Sequence, residues 1–303
     1  MKITFQNENP RALQHSCAND FVWHTFRAKY QRLAVAAVNG LRNRRPQAQP
    51  YTLLQGGKEM KRATLFTLSF LSIISIATLA RGAGPSYHDY RALLSEYVCR
   101  GGVAYDVLAK NPQVLEKAKA ELTSVNRAGV AALSVSGQIA YYINLYNLYT
   151  IDLIVRHLPI KTGIKDIANP WGAKFIPLFG DKVSLDNIET GILRKQFKDP
   201  RIHFALVCAS KSCPILQGTP FTGDSLDAQF KRAAFAFLAD TTRNAFTDHS
   251  MRVSKIFEWY GDDFKKSFGS FPSFIAATLA RPVGPEVHFN EYDWSLNKVD
   301  RCP

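Results

Sequence analysis

The sequence predicts an α+β fold: a single compact domain in which a buried central helix packs on a small, mostly antiparallel sheet. Three observations predict it. The run "GQIAYYINLYNLYTIDLIVRHLP" is apolar nearly all round, as expected of a helix in the middle of a domain. Short stretches of alternating apolar and polar residues, such as "KFIPLFGDKVSL" around Gly180-Asp181, read as hairpins. Helical and strand patterns are mixed without regular alternation, which disfavours a doubly wound parallel sheet.

In chain order, "YHDYRALLSEYV" carries Tyr90, Leu93, Leu94 and Tyr97 at helical spacing, so these four share one apolar face. A more polar helix rich in Lys, Glu and Ala is expected from Val114 to Ala132. The central helix follows and is stopped by Pro159. After the hairpin, Ser184 can cap a helix, "SLDNIETGILRKQF", whose buried face carries Leu185, Ile188 and Ile192. Within "DPRIHFALVCASKSCP" the stretch from Ile202 to Val207 reads as a buried strand, with His203, Ala205 and Val207 on one face and Phe204 and Leu206 on the other. An amphipathic helix ("SLDAQFKRAAFAFLAD"), a short hairpin ("AFTDHSMRVS"), two helices ("KIFEWYGDDFKKSF" and "FPSFIAATLA") and an extended edge ("HFNEYDWSLN") complete the chain.

The formal charge of +13 over 303 residues suggests a nucleic-acid binder until it is divided along the chain. Residues 1–83 hold twelve Lys/Arg and three Asp/Glu, a net of +9, which leaves 26 and 22, a net of +4, for residues 84–303. A solvated, mildly basic surface is the favoured reading of the remainder, and nucleic acid is not an expected partner.

The stretch beginning at Met60, "MKRATLFTLSFLSIISIATLARGAG", has the parts of a secretory signal over residues 60–83. Lys61 and Arg62 lead a Ser/Thr-interrupted apolar core, and Ala80, Gly82 and Ala83 offer small residues for a peptidase. Targeting machinery reads an emerging N-terminus, so translation is expected to start at Met60, with residues 1–59 a disordered extension from a misassigned upstream start. The exported domain is then 84–303, periplasmic or secreted, with membrane contact only in transit. It keeps Cys99, Cys208, Cys213 and Cys302, and an even count in an exported chain favours disulfides. Cys99 and Cys302 lie near the two ends of the domain and could staple them together.

Candidate chemistry gathers at a few positions. Asn144 and Asn147 share a face of the central helix, and a buried amide needs its donors and acceptors met. They either lock the core or form a pocket wall that orients a substrate. Glu189 is either a surface carboxylate paired with Arg194 or Lys195, or the group that orients His203. A solitary His203 is either a satisfied core histidine or a general base. A direct pairing of His203 with Cys208 along a strand is geometrically doubtful, so Cys213 is an equal candidate. The spacing of Cys208 and Cys213 suits a small disulfide loop, a reactive thiol or, least well, a metal site, for which three ligands are too few. No metal or other cofactor is expected. Trp259 and Tyr260 read as core anchors, Asp262 and Asp263 as a solvated helix end, and Lys255 and Asp263 as groups that could line a cleft.

"AYYINLYNLYTI", "SLDNIETGILR", "DPRIHFALVCASKSCP", "VSKIFEWYGDDF" and "YDWSLN", in this order, resemble the family named domain of unknown function 547 over about residues 86–297. That family commonly has Phe-Trp where this chain has Tyr141-Tyr142. The resemblance implies one compact, frequently exported domain and singles out Asn144, Asn147, Glu189, His203, Cys208, Ser210, Ser212, Cys213 and Lys255. It carries no activity with it. The element order also resembles the papain and transglutaminase class, yet at the start of the central helix this chain has Tyr141 and Asn144 where those enzymes have a cysteine.

Two functions follow as expectations. One is an exported thiol hydrolase or acyl transferase acting on amide or ester bonds. There Cys208 or Cys213 is the nucleophile, His203 the proton shuttle and Glu189 or an Asn amide its orienter, while Asn144, Asn147, Ser210 and Lys255 bind substrate. The other is a non-catalytic periplasmic binding or assembly domain with a structural Cys208–Cys213 bridge. In either case the partner is a small molecule, peptide or cell-envelope substrate.

Overall fold

The computed structural model describes residues 84–303; the segment 1–59 with Cys17, and the stretch 60–83 expected to be a secretory signal, lie outside the described residues. The first helix, His88–Tyr97, buries Tyr90, Leu93, Leu94 and Tyr97, the four residues its spacing singles out. It runs into a tight hairpin of β1 (Val98–Cys99) and β2 (Gly102–Val103). The polar segment expected as one helix from Val114 to Ala132 is two, Pro112–Thr123 and Arg127–Ala131. The break falls where the Asn126 side chain accepts from Gly129 N, so a fresh N-cap competes with continuation of the helix.

The central helix, Val135–Arg156, starts at the Ser134 cap and buries almost every residue from Ile139 to Ile154. Its neighbours are mainly other helices: Tyr105–Ala109, Pro112–Thr123, Asn187–Phe197 and the short turn Gly223–Ser225. Among the described residues the strands form three small sheets. β3 (Ile176–Leu178) pairs with β4 (Asp181–Val183) as the expected hairpin. β5 (Ala245–Phe246) and β6 (Ser250–Val253) form the second expected hairpin, and β7 (Glu286–Phe289) joins β6 in parallel. Three of the four pairings are thus antiparallel in an α+β fold.

The helix Asn187–Phe197 is wound with i→i+5 hydrogen bonds, as a π-helix, and Ser184 caps it by accepting from Asn187 N. Leu185 and Ile188 are buried as expected, with Leu193 rather than Ile192 completing that face.

The segment holding His203 is not a strand. Pro200–Phe204 forms a 3-10 helix, followed by irregular chain to Cys208. Pro200 sits in the first turn and the Asp199 carboxylate accepts from Arg201 N, which is helix-start chemistry. Arg201 anchors the turn through Asp199 and Asp227, each at 2.7 Å. Burial on all sides is what makes the apolar run look like a strand, and periodicity alone cannot separate the two. The turn joins two cores. Ile202 belongs to the large cluster around the central helix, and Phe204 to an aromatic cluster with Phe237, Phe257, Phe264 and Phe274.

The two amides of the central helix hold loops. Asn144 donates to Phe221 O and accepts from Phe221 N, at 2.8 and 2.9 Å. Asn147 donates to Ala205 O and accepts from Val207 N, both at 2.9 Å. Each amide imitates a strand partner for a segment that has none, and Asn147 thereby fixes the chain between His203 and Cys208. Asn147→Ala leaves a buried N–H and a buried C=O without partners and is expected to cost about 2–3 kcal/mol. Urea unfolding of the variant checks this; a loss below about 0.5 kcal/mol would mean that water replaces the amide.

Among the described residues, no helix is long and apolar enough to cross a membrane.

Candidate functional site

His203, Glu189, Cys208 and Cys213 line one cleft of about 480 Å³, a volume within the range of small-molecule sites. The 3-10 turn presents His203, whose side chain is almost wholly buried. Its Nε2 lies 3.0 Å from Asp263 Oδ2, in the first turn of the helix Gly261–Phe268. Arg194 Nε donates to the same oxygen at 2.7 Å. The hydrogen bond from His203, with the one from Arg194 and the Arg194 charge, holds the Asp263 carboxyl well below the usual carboxylate range. An ionised carboxylate can only accept, so Nε2 carries the proton in this hydrogen bond.

The Tyr260 ring stacks on the His203 ring, with centroids 3.8 Å apart. Its hydroxyl donates to Glu189 Oε1 at 2.8 Å, and the Arg194 guanidinium lies 4.9 Å from its ring centroid. Glu189 and Arg194 are five residues apart. In an α-helix that spacing would turn them about 140° away from each other. In a π-helix it is close to one turn, so both side chains reach Tyr260. Burial first, then the Glu189 charge, pushes the Tyr260 and Tyr146 hydroxyls up, so both stay protonated and Tyr260 remains a donor to the carboxylate.

Cys208 and Cys213 are bonded to each other, and Cys99 is bonded to Cys302. The short loop closed by the Cys208–Cys213 bridge is held on several sides. Lys211 N and Ser212 N donate to Ser295 O and Asp293 O of the C-terminal segment, and Asn297 N donates to Ala209 O. Arg243 donates to Cys213 O and Lys211 O at 3.1 and 2.6 Å. The Tyr292 hydroxyl approaches both sulfurs, at 3.4 Å from Cys208 Sγ and 3.3 Å from Cys213 Sγ. Cys208 is partly exposed to the cleft, whereas Cys213 is buried.

Other expected site residues stand apart from the cleft. Asn144 and Asn147 are spent on backbone, as described above. Ser210 is buried beside Cys208, with its hydroxyl 3.4 Å from the sulfur, and Ser212 accepts from Asp293 N. Lys255 lies within about 4 Å of Glu258 and Glu291, away from the cleft lining. Glu189 does not touch His203: Asp263 holds the imidazole, and Arg194 pairs with Asp263 instead of Glu189.

The opposite wall is aromatic, and residue spacing in the chain did not reveal it. Trp259 is no core anchor; it is 44% exposed. Its ring centroid lies 4.8 Å from Tyr292 and 5.7 Å from Trp294, and Trp171 lies 5.7 Å from Trp294. Lys165 Nζ sits 3.7 Å over the Trp294 ring. Gly163 allows this arrangement, because a Cβ there would run into the Trp294 carbonyl. Gly163→Ala is therefore expected to displace the Trp294 backbone and cost about 1–3 kcal/mol. A shifted Trp294 resonance together with a lowered melting temperature checks it; an unchanged spectrum would contradict the contact.

No group of three or more His, Cys, Asp or Glu that could hold a metal ion occurs among the described residues. Residues 130–238 match the model of the family described as Protein of unknown function, DUF547, a span that covers the central helix, Glu189, His203 and both cleft cysteines. No curated protein and no solved structure matches the chain.

Proposed function

We propose that the chain is an exported binding domain, periplasmic or secreted, that holds a small molecule, peptide or cell-envelope ligand in this cleft. One observation carries the reading: the two sulfurs that would supply a nucleophile are joined to each other, in a loop stitched to the C-terminal segment and to Arg243. What faces the cleft is then a recognition surface of aromatic rings, carboxylates and one imidazole. Nucleic acid does not suit it, because Asp186 and Glu189 on the lining would repel phosphates.

A second reading, a thiol hydrolase or acyl transferase, is favoured by the His203–Asp263 pair. An external dithiol would first reduce the bridge. The Cys208 thiolate would then attack an amide or ester carbonyl, His203 would pass a proton to the departing amine or alcohol, and water would release the acyl group. The two readings separate in one assay, hydrolysis of 4-nitrophenyl acetate and a peptide anilide before and after treatment with dithiothreitol. The binding reading predicts turnover no greater than that of a Cys208→Ser variant under both conditions. Turnover that appears on reduction and disappears in Cys208→Ser would overturn it.

A further inference from the structure

We infer that the ligand of this cleft is a saccharide, seated with a ring face on Trp259 and its hydroxyl edge toward Glu189. This rests on the binding reading above and names the ligand class. Trp259, Tyr292, Trp294 and Trp171 form one connected wall, yet this wall is not a core. Trp259 stays 44% exposed although it lines a concave space and packs against Tyr292 and Trp294. An aromatic face left in water is stabilised by whatever covers it, and a concave site of this size admits a small molecule or a narrow chain, not a folded partner.

The remaining lining sets the chemistry of that occupant. Asp186, just before the helix Asn187–Phe197, lines the cleft with Glu189 and Thr190 of that helix, and Asn169 joins them. The Tyr260 hydroxyl, donating at 2.8 Å, fixes the aim of the Glu189 carboxylate. The matching ligand has apolar faces and an edge rich in hydroxyl donors, which describes a pyranose. Its axial C–H groups meet the electron-rich ring faces, and its hydroxyls donate to carboxylate and amide oxygens.

Other ligand classes fit less well. Two carboxylates against the single ammonium of Lys165 disfavour an anion. A quaternary ammonium would compete for the Trp294 ring with the Lys165 ammonium already 3.7 Å from its centroid.

The test is a titration of the full, unreduced chain with cellotetraose, chitotetraose and maltotetraose, read by tryptophan emission and by saturation-transfer NMR. Tetraalanine and choline serve as comparison probes. At least one tetrasaccharide is expected to bind, with affinity falling about tenfold or more in Trp259→Ala. Phe235→Ala, which alters a 53% exposed ring outside the cleft lining, is expected to bind like the parent. A melting curve matching the parent's shows that Trp259→Ala is folded. Tetraalanine or choline binding with the same dependence on Trp259, and no tetrasaccharide doing so, would overturn the saccharide assignment and leave the binding reading in place. No Trp259-dependent response to any of the five probes would overturn both.

Discussion

Replacing Cys99 and Cys302 together by alanine is expected to lower the unfolding free energy by about 5 kcal/mol, the largest effect of any change considered. In the chain-entropy account, the stabilisation by a bridge grows with the loop it closes. The Cys99–Cys302 bridge spans a separation of 203 residues and Cys208–Cys213 one of 5. The same account gives about 2 kcal/mol for the shorter loop, so the order of the two variants is itself a prediction. The long bridge also ties the C-terminal segment to the first hairpin, where Val103 N donates to Asn297 O and Val299 N to Val103 O. Tyr105 completes that seam through Asn297 Oδ1 at 2.8 Å. Tyr292 and Trp294 reach the cleft from this same segment, so loosening it should also broaden their NMR signals. Urea unfolding of the two double variants decides the matter. A smaller loss for the Cys99/Cys302 variant than for the Cys208/Cys213 variant would contradict the staple.

Asp263→Ala is expected to cost about 2–4 kcal/mol, because it strands two donors on a partly buried carboxylate: the His203 ring and the Arg194 guanidinium. The pH dependence follows from the depressed carboxyl of Asp263. A group whose folded pKa lies below its unfolded value contributes stability that is fully present above the ordinary carboxylate pKa of about 4. That contribution is lost as the pH falls through the lower, folded value. The stability gap between the parent and Asp263→Asn should therefore be widest near neutral pH and should narrow below about pH 4. Urea midpoints for both proteins at pH 7 and pH 3 measure it. A gap that stays constant between the two would mean that the charge of Asp263 does not stabilise the fold.

Legibility in the sequence followed the range of the interactions. The first helix, the central helix, the two hairpins and the Ser184 cap are set by neighbours a few residues apart, and all were readable from spacing. His203, Glu189 and the cleft cysteines stood out because polar or reactive groups in apolar surroundings need a reason. Their partners did not stand out. Asp263 lies sixty residues beyond His203, and only the packing of the helix Gly261–Phe268 beside the 3-10 turn brings them together. The substitution of Asp263 for Glu189 as the partner of His203 has the same origin. So does the aromatic wall: Trp171, Trp259 and Trp294 come from three distant segments, and each alone resembles an ordinary core residue. The π winding of Asn187–Phe197 was hidden as well, since its capping and apolar spacing also satisfy an α-helix.

The most direct measurement is the redox state of the cleft sulfurs. The purified, unreduced protein is denatured in excess iodoacetamide, digested and mapped by mass spectrometry. Cys208 and Cys213 should appear as one cross-linked species with neither sulfur alkylated, as a recognition cleft with a fixed wall requires. Recovery of carbamidomethylated Cys208 as the main species would show a free thiol in the cleft that His203 also lines and contradict the binding account.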